Sequence, residues 1–409
     1  MKINYYYAGH TRQIDLPGTT RVISPISHSF SISRERTALE MLPLNPNFPW
    51  HWNRFIESKK HLVITNDATR PTPTAQILKF LQEQTKFEFD ILVATGSHKP
   101  PTKTELGNIL GKFSETTSIE IHDCRAKNHL KYYGTTSSDN RVFLNRAISL
   151  YDGILIIGSV EPHYFAGFTG GRKAILPGIA GYSTIESNHR LALESGADPL
   201  TLVNNPVHED MDEALDFIDL DKILSIQVLL DSNRTITGVF PGELRESFIK
   251  ATEEARNIYT VSLKPADIII CSVHSPLDSD LYQAHKAIEL AKTALLPNGI
   301  IILMAECQGG LGNPEFMNLL RAEKDNNIIR KIALKHYSLG YHKASKIADF
   351  ATHHSIWVVS NLPQDAFINT PIVPFDSLEN AFEKALVLKG ESRQTLFIHD
   401  AGSIVPVIS

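Results

Sequence analysis

Short apolar runs, each about the length of a buried strand, constrain the fold of this 409-residue chain. They occur at 61–65 (HLVIT), 90–95 (DILVAT), 153–157 (GILII), 267–271 (DIIIC) and 299–303 (GIIIL). Segments with apolar residues at helical spacing lie between them, at 73–83, 184–194, 281–294 and 314–323. A strand that is apolar along its whole length needs cover on both faces. The alternation predicts a doubly wound α/β fold.

The chain is too long for one ordinary core, so we expect two Rossmann-like α/β domains with an active-site cleft between them. The pattern of strands and helices restarts near residues 257–265, after a long helical stretch. This places an N-terminal domain at 1–258 and a C-terminal domain at 259–394. The end of the chain, 395–409, contains a strand-like run and could return to complete the N-terminal domain.

Composition disfavours several classes of partner. The net charge is -5, and the 40 basic residues are spread along the chain without forming a stripe that would bind nucleic acid or an anionic membrane. No apolar run reaches the roughly 20 residues of a membrane span, and the first residues lack the apolar core of a signal peptide. We therefore expect a cytoplasmic protein. The three cysteines suggest neither a disulfide framework nor a zinc site.

Polar side chains follow three of the predicted strands, where each strand ends. NDATRPTP brings Asp67 and Arg70 after the first run, GSHKP brings His98 after the second, and EPHYFAGFTGGRK brings His163 and Lys173 after the third. Ligands of open α/β sheets bind beyond the carboxyl ends of the strands. The sequence therefore predicts a site at this edge.

The glycine turn ahead of Lys173 has two interpretations. Backbone N–H groups at Gly170 and Gly171 could approach a phosphate, with Arg172 or Lys173 supplying charge. The turn matches neither the P-loop nor the dinucleotide fingerprint, so a tight turn with a solvated lysine is an equal alternative. His189, on the next predicted helix, is typical of a structural histidine unless its neighbours are functional.

The second domain offers Gln283 and Lys286, which share one face of a predicted helix. They could bind a carboxylate across the cleft, but spacing alone favours an exposed amide and lysine on a surface helix.

Two imidazoles suit proton transfer near neutral pH, and on opposite sides of a carbon they could serve opposite enantiomers. The α C–H of a hydroxy acid is scarcely acidic, and no side chain is a strong enough base to remove its proton. Removal of the same hydrogen as hydride needs an electron acceptor that side chains do not provide, so this chemistry requires a cofactor.

The motifs NDATRPTP, ATGSHKP, EPHYFAGFTGGRKAILPGIAGYSTIESNH and LYQAHK together resemble those of the nickel-dependent lactate racemase family. The resemblance implies a nickel-pincer nucleotide, a pyridinium-3-thioamide-5-thiocarboxylic acid mononucleotide, that is made by cofactor-synthesis proteins in trans and linked to Lys173. It implies that His189 is a nickel ligand and that His98 and His163 are the acid/base pair. Sulfur and imidazole donors suit Ni(II).

The same resemblance implies contacts with a small 2-hydroxy acid at Arg70, Gln283 and Lys286, and an orienting role for Asp67 toward Arg70 or the nucleotide. Further cofactor contacts are implied at Gly170, Gly171 and Arg172.

One position departs from the family. Lactate racemases have a tryptophan in a stretch that aligns with GYHKASK, where this chain has His342. A polar residue there favours a larger or more hydroxylated substrate than lactate, such as a sugar acid or a dicarboxylic hydroxy acid. The sequence predicts an isomerase, a racemase or epimerase of 2-hydroxy acids.

Two other functions stay open. One is a metal-dependent hydrolase or lyase in which His98, His163 and His189 bind zinc or iron directly, and Lys173 binds a substrate phosphate. The other is a nucleotide-binding or cofactor-carrier protein without turnover.

Overall fold

A computed structural model describes residues 1–24, 38–46, 48–390 and 393–408. The chain divides into two compact units. The N-terminal unit is Ser27–Ile258, and the C-terminal unit combines Met1–Ile26 with Tyr259–Ser409. Each contains a six-stranded sheet with mainly parallel pairing, which confirms the α/β prediction. Within the described ranges, no helix is both long and apolar enough to cross a membrane.

The strands in chain order are β1 Lys2–Tyr7, β2 His10–Asp15, β3 Arg21–Ile23, β4 His61–Asn66, β5 Asp90–Ala94, β6 Ile119–Ile121, β7 Leu130–Thr135, β8 Arg141–Asn145, β9 Gly153–Ser159, β10 Pro162–His163, β11 Gly167–Phe168, β12 Ile223–Leu230, β13 Ile236–Gly242, β14 Thr260–Leu263, β15 Ala266–Ser272, β16 Leu295–Met304, β17 Ser355–Val359, β18 Ile372–Phe375, β19 Thr395–Ile398 and β20 Val405–Ile408. The helices are α1 Phe48–Ile56, α2 Thr74–Gln84, α3 Lys103–Leu110, α4 Phe113–Thr116, α5 Tyr182–Arg190, α6 Pro206–Glu213, α7 Leu244–Tyr259, α8 Leu281–Ala291, α9 Pro314–Ala322, α10 Asn326–Lys335, α11 Tyr341–Ala351 and α12 Leu378–Lys389.

The sheet of the N-terminal unit has the strand order β13-β12-β9-β4-β5-β6. Only the β12 and β13 pair is antiparallel among the pairings of this sheet. Strands β9, β4 and β5 lie side by side at its centre and contain three of the predicted runs. Every residue of β9 is buried, as expected for a strand that is covered on both faces. Three parallel strands therefore end at one edge, where the predicted site residues follow.

The sheet of the C-terminal unit has the order β18-β17-β16-β15-β19-β3, and all its pairings are parallel. The predicted return of 395–409 to the N-terminal domain is wrong, because β19 lies between β15 and β3 and β20 pairs with β14. All four residues of β19 are buried, and an interior position in a sheet provides that cover. The first 24 residues also belong here, because the hairpin of β1 and β2 packs Ile3 and Ile14 into the core around Trp357.

Candidate active site

Asp67 and His98 form a pair beyond the ends of β4 and β5, which are parallel neighbours. His98 Nδ1 lies 2.8 Å from Asp67 Oδ2, while Asp67 Oδ1 accepts hydrogen bonds from the backbone N–H and the hydroxyl of Thr69. Burial raises the pKa of Asp67, but the hydrogen bonds and charge of His98 and the bonds from Thr69 outweigh it, so the pKa lies below its ordinary value. The carboxylate is therefore ionised at neutral pH.

An ionised carboxylate only accepts hydrogen bonds, so His98 donates from Nδ1 and its neutral ring carries a lone pair at Nε2. The His98 side chain is 41 % exposed, whereas that of Asp67 is 6 % exposed. The buried partner thus fixes the orientation of an accessible imidazole. The carboxylate of Asp67 orients His98 in this structure, and its orienting role toward Arg70 or the nucleotide stays a prediction.

Arg70 pairs with Glu161 instead. The distance from Arg70 Nη1 to Glu161 Oε2 is 3.6 Å, and the two side chains are 23 % and 21 % exposed. Glu161 follows β9, the third strand of the central group. Sequence interpretation assigned it no role, although an acidic residue at the end of a neighbouring strand was the available signal. The ion pair holds the guanidinium in a partly exposed position, where it can contact an anion.

Phe165 brings three predicted site residues together. Its ring centroid lies 4.6 Å from that of His163, 5.1 Å from that of His189 and 5.4 Å from Lys173 Nζ. His163 is 7 % exposed, and its Nδ1 accepts a hydrogen bond of 3.3 Å from the backbone N–H of Ala166. His189 and Lys173 are half-buried. Two imidazoles and an amine therefore lie around one aromatic ring. No role was predicted for Phe165 from the sequence.

The turn before Lys173 requires its glycines. Gly170 and Gly171 have φ angles of 81° and 51°, in the left-handed region. A Cβ at Gly170 would lie 2.6 Å from Val160 Cγ2, and one at Gly171 would lie 2.6 Å from Phe248 Cβ. The N–H of Gly171 donates to the side-chain oxygen of Gln227 at 2.9 Å, so this amide is used inside the protein.

Arg172 is buried with 1 % of its surface exposed. Its guanidinium donates to the carbonyl oxygens of Ala166 and Phe168 at 2.6 and 3.1 Å and lies 4.2 Å from the centroid of the Phe248 ring. Burial lowers the pKa of Arg172 to about 9. These contacts disfavour the predicted interaction of Arg172 with a phosphate. The side chain instead joins the glycine turn to the carbonyl oxygens of Ala166 and Phe168.

In the C-terminal unit, Gln283 and Lys286 lie on α8 and are half-buried. Asp280 caps this helix by accepting a hydrogen bond of 2.8 Å from the backbone N–H of Gln283. Lys343 is buried, and burial together with the charge of Lys286 lowers its pKa well below the ordinary value. Lys286 therefore lies close enough to Lys343 to disfavour its charged form, beside the Asp280 carboxylate at the start of α8.

His342 has none of its surface exposed. Its Nδ1 lies 2.7 Å from the hydroxyl of Tyr337, and the two rings stack with centroids 6.1 Å apart. A side chain in this position does not present its ring to a ligand, so the predicted direct contact between His342 and a substrate is replaced here by a packing contact.

The three candidate histidines of the N-terminal unit do not form a direct metal centre. Among the residues that the structure describes, no group of three or more His, Cys, Asp or Glu side chains is arranged to hold a metal ion. The hydrolase or lyase alternative requires His98, His163 and His189 to converge on one ion, and this requirement is not met.

Two family profiles and two curated relatives match the sequence of this chain. The family profile described as lactate racemase N-terminal domain matches residues 23–199, and the profile described as lactate racemase C-terminal domain matches residues 261–406. The lactate racemase of Thermoanaerobacterium thermosaccharolyticum is 36 % identical over 287 residues, which cover 68 % of this chain and 67 % of that protein. The lactate racemase of Lactiplantibacillus plantarum is 29 % identical over 358 residues, 84 % of each chain.

Two solved structures are similar to this chain in fold. The lactate racemase apoprotein from Thermoanaerobacterium thermosaccharolyticum superposes with a TM-score of 0.89 and 27 % identity over 100 % of both chains. A Thermotoga maritima protein, with a TM-score of 0.74 and 18 % identity over 92 % of this chain and 98 % of that one, is similar in fold. These matches define an α/β protein of the racemase class. More specifically, the chain belongs to the lactate racemase family.

Proposed function

We propose that this chain is a 2-hydroxy-acid racemase or epimerase that works with a nickel-pincer nucleotide linked to Lys173. The observation that carries the proposal is the grouping of Lys173, His163 and His189 around Phe165. Membership of the lactate racemase family supports the reaction class.

The residues around Phe165 fit such a cofactor. Lys173 follows a turn that its glycines hold in one conformation, so the amine is well placed for a covalent link. His189 offers an imidazole, a donor that suits Ni(II) beside sulfur ligands. When bound, the cofactor would supply the hydride acceptor that side chains lack. Other proteins would make it in trans, and we place the reaction in the cytoplasm.

The two candidate acid/base histidines hold their protons differently. Asp67 accepts the Nδ1 proton of His98, which leaves Nε2 of the neutral ring as a proton acceptor. His163 accepts the Ala166 N–H at Nδ1, which places the proton of its neutral ring on Nε2. One ring would take the hydroxyl proton of one enantiomer, become an imidazolium and return that proton when the hydroxyl re-forms, while the other would hold its N–H toward the keto oxygen in between.

The proposed substrate-binding residues are Arg70, Gln283 and Lys286. Arg70, held by Glu161, would donate charge-assisted hydrogen bonds to a carboxylate, as would Lys286 beside Gln283. We propose a hydroxy acid larger or more polar than lactate, such as a sugar acid or a dicarboxylic hydroxy acid. The basis is the departure of the sequence at position 342 from the tryptophan of lactate racemases; the buried His342 ring does not itself supply a substrate contact.

Intact-mass measurement on protein produced with and without the cofactor-synthesis proteins tests the proposal. We expect an adduct of nucleotide size on the chain, its loss in Lys173→Ala and its retention in the matched control Lys79→Ala, an exposed lysine on α2. Chiral chromatography of a panel of 2-hydroxy acids, lactate included, measures racemisation by the loaded protein. Activity without an adduct would refute the proposal, and an adduct without turnover of any acid would favour the carrier function.

A further inference from the structure

We propose that Asn205 and Asp210, at the start and on the second turn of α6, form a buried clamp that positions His189 against Phe165. The inference rests on the proposed function, because it gives His189 a fixed place in cofactor binding. Both residues act through others and are positioning residues.

Asn205 connects α6 to Phe165. It is fully buried, and its side-chain oxygen accepts hydrogen bonds of 3.1 and 3.2 Å from the backbone N–H groups of Val207 and His208. Its side-chain NH₂ donates to the carbonyl oxygens of Phe165 at 3.0 Å and Thr201 at 2.9 Å. The amide thus uses its two donors and both lone pairs of its oxygen, so it holds the Phe165 backbone in one position relative to the helix start.

Asp210 connects α6 to the helix that carries His189. It is 1 % exposed, and its Oδ2 accepts hydrogen bonds of 2.8 Å from the side-chain NH₂ groups of Asn188 and Asn140. Its Oδ1 accepts a bond of 2.5 Å from the hydroxyl of Thr136. Asn188 directly precedes His189, so the carboxylate fixes α5 one residue from the imidazole.

Asn188 makes a second contact with the same helix. Its side-chain NH₂ also donates to the carbonyl oxygen of Val207 at 3.1 Å, so α5 is attached to α6 at two points. Asn205 therefore holds the backbone of Phe165, and Asp210 holds Asn188 next to His189. The rings of Phe165 and His189 lie 5.1 Å apart.

A buried carboxylate whose hydrogen-bond donors are neutral side chains costs free energy that an apolar contact would not. Its advantage is direction, because the bonds from Thr136 and Asn140 orient the carboxylate, and the bond from Asn188 then joins α5 to α6 in that orientation. Groups that orient a metal ligand typically change metal affinity about 10- to 100-fold when they are removed. The clamp therefore predicts a measurable effect on nickel retention.

The test uses loaded protein that is challenged with a chelator. Asp210→Asn removes the charge and one acceptor oxygen, so at least one of the three hydrogen bonds is lost or reversed, and we expect nickel loss to be about tenfold faster or more, with the Lys173 adduct mass retained. Leu81→Ala, a buried core residue on α2, is the matched control, which lowers thermal stability without changing nickel loss. Thr136→Val, which removes one bond to the carboxylate, replaces Asp210→Asn if that variant does not fold.

Wild-type nickel retention in an adduct-bearing Asp210→Asn variant would overturn the clamp and leave the proposed function intact. If the wild-type protein carries no adduct, the proposed function fails instead, and the clamp is tested on the apoprotein by amide hydrogen exchange. Exchange in α5 should then be faster in Asp210→Asn than in Leu81→Ala, and equal rates would overturn the clamp.

Discussion

The two units present their candidate residues in different ways. In the N-terminal unit, the candidates follow three adjacent parallel strands, and contacts within the unit bring them into pairs and groups, such as Asp67 with His98. In the C-terminal unit, Gln283 and Lys286 share one helix, and His342 is buried on another. Under the proposed function, the first unit would carry the proton-transfer groups and the second would contribute substrate-binding side chains. Substitutions in the first should change kcat, and substitutions in the second should change KM.

The largest effect should come from the two histidines. We expect His98→Ala and His163→Ala each to lower kcat about 10³-fold, because each removes one proton-transfer group, while the Lys173 adduct stays in place. Chiral assays in both directions, with intact-mass measurement on the same samples, check this. Loss of the adduct in either variant would assign that histidine to cofactor binding and break the contrast between the units.

Asp67→Asn should have the next largest effect. The neutral amide no longer stabilises the imidazolium that forms when His98 takes a proton, so we expect kcat to fall about 10²-fold with little change in KM. An equal fall in kcat/KM that arises from KM alone would instead place Asp67 in ligand binding.

The same substitution has a pH signature. The folded-state pKa of Asp67 lies below its ordinary value, so the carboxylate stabilises the fold above that ordinary value and loses this contribution as pH falls through the folded-state pKa. Urea unfolding at pH 6 and pH 3 should therefore show a stability deficit of Asp67→Asn at pH 6 that narrows at pH 3. A deficit that is equal at both pH values would contradict the pairing.

The central strands were predictable because a strand that is buried on both faces must be apolar throughout. The position of 395–398 was not, because an apolar run does not encode its neighbours, and β19 pairs with strands from both ends of the chain. At the site, the strand ends predicted the edge of the sheet at which the candidate residues lie, but not the pairing of Asp67 with His98. From the sequence, Arg172 is expected to be a charged residue available to a ligand beside Lys173. The fold shows that its N–H groups donate to carbonyl oxygens inside the protein.

In the C-terminal unit, Lys286→Ala and Gln283→Ala should raise KM about tenfold each with kcat nearly unchanged, because a charge-assisted or neutral hydrogen bond to a carboxylate is lost. Steady-state kinetics with the best acid of the panel measure the split, and Lys335→Ala, an exposed lysine at the end of α10, is the control. A fall in kcat of the size expected for the histidines would show that the second unit takes part in the chemistry.

The smallest functional effect is expected at the position that departs from lactate racemases. His342→Trp inserts a larger ring where the histidine is fully buried against Tyr337, so we expect a loss of about 1–3 kcal/mol in the free energy of unfolding from overpacking. The ratio of kcat/KM for lactate to that for the best acid should change by less than about threefold, because a packing residue contributes little to substrate discrimination. Tyr337→Phe removes the same hydrogen bond without adding volume and separates the two effects. A shift of preference toward lactate in His342→Trp, beyond that in Tyr337→Phe, would show that this position sets specificity despite its burial.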